Sequence, residues 1–118
     1  MSNAFGDIRT FPISDEAKTI LNQLVTKNIF NDLRHGWQLG ASLGIALGNV
    51  HTTGSRSTFQ NVNSLDPEGI FAAIMVGVYP DLSPKERRDK LIDHAEWGIR
   101  EIQRKEKNGT LDFATLGK

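Results

Sequence analysis

The sequence predicts a mainly α-helical protein, a compact bundle of about four helices with a long polar loop between the second and the third. Three observations carry that expectation. Apolar residues after Ser14 recur at helical spacing, glycine recurs every fourth residue through a second apolar stretch, and Ser83-Pro84-Lys85-Glu86 opens a long amphipathic run that stops at Asn108-Gly109. At 118 residues the chain can bury one core but not two. Residues 1–118 therefore read as a single helical domain, with an N-terminal arm over 1–13 and a C-terminal tail over 110–118.

The arm holds Phe5, Ile8, Phe11 and Ile13 among polar residues, which suits an extended segment docking those side chains on the core. Ser14 is the candidate N-cap of the first helix. Asp15 and Glu16 follow in the first turn, where negative charge complements the helix dipole. Ala17, Ile20, Leu21, Leu24 and Val25 then form one apolar stripe. The second helix is expected from Asn31 or Asp32 to Gly48-Asn49, with Gly36, Gly40, Gly44 and Gly48 on one ridge. Each glycine costs a helix about 0.8–1 kcal/mol relative to alanine, so packing has to compensate. A ridge without side chains is a furrow that admits another backbone. An intramolecular helix crossing is the favoured expectation there, and a subunit or ligand interface at those four glycines is the alternative.

From Asn49 to Asp66 the chain turns polar around Thr52-Thr53-Gly54-Ser55-Arg56-Ser57-Thr58, and Phe59, Val62 and Leu65 are expected to tether the second half of this loop. Asp66-Pro67-Glu68 announces a third helix: an N-cap, proline at the first helical position, then an acid. Ile70 to Val78 is apolar nearly all round, which predicts the most enclosed element of the fold, with a buried strand as the alternative. Tyr79-Pro80-Asp81-Leu82 breaks the chain. The last helix follows from the capping box at Ser83 to about Lys107, with Leu91, Ile92, Ala95, Ile99 and Ile102 on its apolar face. Glu86–Lys90, Glu96–Arg100 and Glu101–Lys105 are acid-before-base pairs one turn apart.

Composition bounds the function. Fourteen lysines and arginines balance fourteen aspartates and glutamates, which argues against a surface that is basic throughout and leaves only a local patch for nucleic acid. The absence of cysteine removes disulfides, thiolate nucleophiles and cysteine-ligated zinc, and fits a reducing cytoplasm. Met1 to Thr10 has neither the basic opening nor the apolar run of a secretory signal. The apolar stretch Trp37–Val50 falls short of the ~20 residues that a membrane-spanning helix needs. A soluble, cytoplasmic protein without membrane contact is the expectation.

No self-contained catalytic centre is legible. His35, His51 and His94 include no pair one helical turn apart, as a helical zinc site requires. Asp93 and His94 are neighbours on a helix and point about 100° apart, so a solvated helix surface is expected around Asp93, His94 and Glu96. Neither a nucleophile elbow nor a Walker phosphate loop is present, and Ser55 and Ser57 near His51 make a weak candidate for nucleophilic chemistry. The Thr-Thr-Gly-Ser-Arg-Ser run reads first as an ordinary polar loop. Its alternative is a cradle offering amides, hydroxyls and Arg56 to a phosphate. No enzyme activity, cofactor or metal is expected. The candidate phosphate contacts are Arg34, His35, Arg56, Lys85, Arg87 and Arg88.

Several stretches resemble small accessory proteins of bacterial DNA phosphorothioation systems. Ile13-Ser14-Asp15-Glu16-Ala17-Lys18 opening a first helix, and a second helix ending Leu39-Gly40-Ala41-Ser42-Leu43-Gly44-Ile45, are similar to the front half of DndE-like proteins. The Ala-Ser-Leu-Gly core, the helix over 66–78, and Arg87-Arg88 leading to Ala95-Glu96-Trp97-Gly98-Ile99 resemble the associated family called dnd-system-associated protein four. The resemblance spans roughly residues 13 to 104. It implies a helical DNA-modification or defence accessory that works beside larger ATPase or sulfur-transfer partners. It also implies a DNA-binding oligomer that exposes lysines, although this first helix has only Lys18 and Lys27. The leading expectation is a non-enzymatic DNA-associated accessory subunit that binds the phosphate backbone, larger partner proteins, or both. The alternative is a protein–protein adaptor or self-assembling module without nucleic-acid contact.

Overall fold

The structure is a computed structural model, and it describes residues 5–116. The first four residues of the predicted arm and the last two of the tail lie outside the described residues. In chain order the elements are β1 (Thr10–Ile13), α1 (Asp15–Thr26), α2 (Leu33–Leu47), β2 (Ser57–Asn61), α3 (Val62–Leu65), α4 (Ile70–Val78) and α5 (Pro84–Lys107). The fold is mostly helical, as predicted, but it has five helices and a two-stranded sheet instead of a plain four-helix bundle.

The arm is extended over β1 and docks Phe5, Phe11 and Ile13 in the core as expected, with Ile8 packed against it, while the sheet corrects the long polar loop. β1 pairs antiparallel with β2, from Thr10 opposite Asn61 to Ile13 opposite Ser57. The register slips between Phe11 and Pro12, where proline has no N–H for the ladder. Alternate residues of a strand face opposite sides, so Phe11 and Ile13 point together into the core while Thr10 and Pro12 do not. Phe11 stacks on Trp37 of α2 at 5.5 Å between ring centroids, and Phe71 of α4 meets the same indole edge-on at 5.8 Å.

α1 begins as expected. The Ser14 hydroxyl accepts a hydrogen bond from the Ala17 amide, and Ala17, Ile20, Leu21 and Leu24 are buried. α2 is capped by the Asp32 carboxylate, which accepts from the His35 amide at 3.0 Å, and ends on Gly48 in the left-handed conformation (φ +69°). α5 has both halves of the Ser83/Glu86 capping box. Of the three predicted ion pairs, Glu96–Arg100 forms at 2.7 Å. Glu86 serves the cap, and Glu101 pairs with Arg104 instead.

The glycine ridge is occupied from within. α2 and α5 make the most extensive contact of any two elements and run antiparallel, with Gly44 against the backbone of His94 and Gly40 against Gly98. A Cβ on Gly40 would lie 3.0 Å from the Ile99 amide nitrogen, and one on Gly36 would lie 2.6 Å from Leu21. Backbone-to-backbone approach of this kind offsets the helix cost of the glycines through dispersion contacts. The interface alternative is therefore corrected: Gly36, Gly40 and Gly44 are filled by this chain's own residues, and Gly48 is a helix cap with open space around it.

A second correction concerns α4. Its start signal has the right chemistry but sits earlier than the helix. Residues 66–69 form a turn, Gly69 takes φ +70°, and the Asp66 carboxylate reaches over to accept from the Phe71 and Ala72 amides at 3.0 and 2.9 Å. The helix predicted to be most enclosed buries only Phe71, Ala72 and Met75 and leaves the rest of its apolar surface uncovered. Gly77 on the uncovered side has no atom within 4 Å of where a Cβ would sit. Gly77→Ala should therefore raise unfolding free energy by about 0.5–1 kcal/mol through helix propensity alone, measured by urea denaturation.

Candidate functional site

The six candidate phosphate contacts do not converge. Because α2 runs antiparallel to α5, Arg34 and His35 lie near the Ile102 end of α5 while Lys85, Arg87 and Arg88 open its other end. At 1.5 Å per residue those positions are about 21–26 Å apart. Each cation also has a local partner. Arg34 and His35 face Asp32 at 3.6 Å, Lys85 and Arg88 bind Asp89 at 3.0 and 2.8 Å, and Arg87 donates to the carbonyls of Tyr79 and Pro80 at the end of α4. Burial raises the pKa of the Asp89 carboxyl, but the hydrogen bonds and positive charges of Arg88 and Lys85 together outweigh it and hold the group below its ordinary value.

Arg56 is a structural clasp. Only 15% of its side chain is exposed, and it donates to Asp93 at 2.5 Å and to the Thr53 hydroxyl at 2.7 Å. Its Nε also lies 4.0 Å from Glu96, which is fully buried. The Glu96 carboxylate accepts from the Ser14 amide at 3.0 Å, the Ser14 hydroxyl at 2.7 Å and Arg100 at 2.7 Å. One carboxylate thus ties the cap of α1, the polar loop and α5 together. The expected solvated surface around Asp93, His94 and Glu96 is corrected accordingly: Glu96 and His94 are interior groups. Their spacing contained the signal, since Glu96 falls four after Ile92 and three before Ile99, on the apolar stripe itself.

His94 is held at both ring nitrogens. Nδ1 lies 2.7 Å from the Asn49 carbonyl, which can only accept, so Nδ1 carries the proton and Nε2 accepts from the Tyr79 hydroxyl at 2.8 Å. Burial pushes the imidazole pKa down, nearby Lys90 pushes the same way, and the Asn49 carbonyl opposes both. A base whose folded pKa is depressed contributes stability above its ordinary value, 6.5 here, that is lost as pH falls below it. Thermal unfolding should therefore occur at lower temperature at pH 5.5 than at pH 7.5, and His94→Gln should shrink the difference. The depressed carboxylates Asp32, Asp89, Glu86 and Glu101 act below their ordinary values of 3.8 and 4.5, outside that window. The hydroxyl of Tyr79 and both ring nitrogens of His94 are engaged in holding loop and helix together. Among the described residues no three histidine, aspartate or glutamate side chains gather as a metal site.

Four of the seven large exposed hydrophobics among the described residues lie on one face of α4, the others being Leu47, Val50 and Phe113. Ile70 and Val78 are 56% and 52% exposed, and Ile74 and Val76 are each 37% exposed. At 100° per residue these side chains span an arc of about 200°. Ala73 and Gly77, one turn apart, form a low seam with Val76 on one side and Ile70, Ile74 and Val78 on the other. The N-terminal end of α4 abuts a cleft of about 720 Å³ between residues 5–9 and the α3–α4 turn, bordered by Asp7, Arg9, Asp66, Glu68 and Ala72. No helix among the described residues is long and apolar enough to cross a membrane. Comparison with protein-family models, curated proteins and solved structures finds no match to this chain.

Proposed function

We propose that the chain is a non-catalytic docking subunit that holds a larger partner protein through the exposed face of α4. The supporting observation is that face itself: a helix without a single charged residue that presents four large aliphatic side chains to solvent. Contiguous apolar surface of this kind marks interaction sites on soluble domains. The partners implied by the resemblance to DNA phosphorothioation accessories, ATPases or sulfur-transfer components, supply the setting. In extract of source cells, the wild-type chain is expected to elute from a sizing column in an assembly larger than itself. Ile74→Asp should elute alone while still unfolding in a single cooperative thermal transition, at a somewhat lower temperature. Retention of the assembly by Ile74→Asp would remove the proposal.

Direct contact with DNA is the second reading, favoured by the exposed side chains of Arg34, His35 and Lys85, which are 43%, 45% and 75% accessible. Exposed ion pairs are worth only about 0–1 kcal/mol, so a phosphate can displace Asp32 or Asp89 from these cations. Their separation limits them to weak contacts at two ends of the molecule. A mobility-shift titration at low salt, with Lys85→Ala and Arg34→Ala as comparisons, tests it; affinity unchanged in both variants removes these cations from any DNA site.

A further inference from the structure

The nature of the partner surface follows from what borders α4. Nine residues make a helix about 13 Å long. That is too short for its face alone to supply the ~800 Å² per partner of a standard stable interface, so a symmetric dimer built on α4 alone is disfavoured. An occupant has to extend beyond the helix. The cleft lies where such an extension would run, because Gly69 and Ala72 border it and Ala73 and Val76 stand within a turn of them.

The cleft is acidic. Asp66 is buried, with both carboxylate oxygens committed to the Phe71 and Ala72 amides, so it contributes charge but no free acceptor geometry. Asp7 and Glu68 are exposed and form no ion pair among the described residues; Arg9 is the single cation among the described residues lining the cleft, and Lys85, next to the Pro84 that packs on Gly6, is paired with Asp89. Three acids against one base make a negative end to an uncharged apolar strip. At the other end of α4 Arg87 is bound to the Tyr79 and Pro80 carbonyls, Lys90 lies 5.6 Å from the Tyr79 ring centre, and Asp81 is exposed beside them, so the charge there is mixed. The acidic cleft is the one end of the strip where acids outnumber bases among the described residues that line it.

We propose that this face receives an amphipathic helix of a partner protein, its apolar stripe seated on the Ala73–Gly77 seam and its lysine- or arginine-bearing end in the cleft beside Asp7 and Glu68. Helices laid into grooves use anchors at i, i+4 and i+7, and side-chain-free seams let the two axes approach closely. Cations are most stable at a helix's C-terminus, which sets the guest antiparallel to α4. The proposal presupposes that α4 is a docking face and adds the chemistry and direction of what docks.

Fluorescence anisotropy with two labelled synthetic helices of about 18 residues tests it. Both carry leucines at i, i+4, i+7 and i+11; one ends in three lysines, the other in three glutamates. The lysine-ended probe should bind wild-type chain about tenfold tighter than the glutamate-ended one at low salt. Gly77→Gln, whose Cβ would have open space around it and whose side chain would rise into the seam, should abolish binding of both probes. The double substitution Asp7→Lys with Glu68→Lys should reverse the preference. Equal binding of the two probes, an unreversed preference, or no binding of either overturns the proposed guest, while the docking role itself is judged separately by the Ile74→Asp elution. Unaltered binding to Gly77→Gln likewise overturns the proposed guest, because the probe would not be seated on the seam.

Discussion

Gly98→Ala is expected to destabilise the protein by about 3 kcal/mol or more, the upper range for forcing volume into a packed interior. Helix propensity alone predicts the opposite sign, a gain of roughly 0.8–1 kcal/mol for alanine over glycine. Geometry decides between them. A Cβ on Gly98 would be driven into the backbone carbonyl of Gly40, and backbone cannot rotate away as a side chain end can. Gly44→Ala should behave similarly, because its Cβ would enter the backbone of His94. Urea denaturation of Gly98→Ala beside Gly77→Ala makes the contrast sharp, since one chemical change should lower stability at the crossing and raise it on the open face. Equal effects would mean that α2 and α5 do not approach as closely as the structure has them.

Glu96→Ala should cost about 3–5 kcal/mol, the range for removing one partner of a buried ion pair. The carboxylate does not merely attract Arg100. It also satisfies the Ser14 amide and hydroxyl, so its loss leaves interior donors without acceptors at the first turn of α1. Glu96→Gln keeps one acceptor oxygen in place and should cost distinctly less. Hydrogen exchange reads the consequence locally: in Glu96→Ala the amides of Ser14 and Ala17 should lose protection before those at the α2–α5 crossing. A variant that unfolds at the wild-type denaturant midpoint would show that the network contributes little.

These two residues also show where sequence reasoning succeeded and stopped. The glycine spacing was legible as a furrow that another backbone enters, because residues four apart form one ridge, and the crossing within the chain was the favoured of two occupants. Its partner was not legible, since Gly98 is a lone glycine in a charged helix. Ser14, Asp32 and the Ser83/Glu86 box announced their helices because capping is local chemistry. The sheet escaped notice because β1 is four residues long, Ser57–Asn61 is polar, and pairing between segments so far apart leaves no local trace. α4 misled for a physical reason: uniform apolarity signals a need for cover, and it does not reveal whether the same chain provides that cover. Arg56 read as a free cation because Asp93 and Glu96 lie in a distant segment. Nothing in a one-dimensional list distinguishes an arginine offered to a ligand from one spent on a clasp.

The central claim is that the uncovered side of α4 is a seat for another protein. Placing a benzophenone amino acid at Ile74, with a control at Lys18 on the exposed side of α1, tests it inside source cells. Irradiation should yield a discrete adduct to a single larger protein from position 74 and none from position 18. Adducts of equal yield from both positions, or none from position 74, would contradict it.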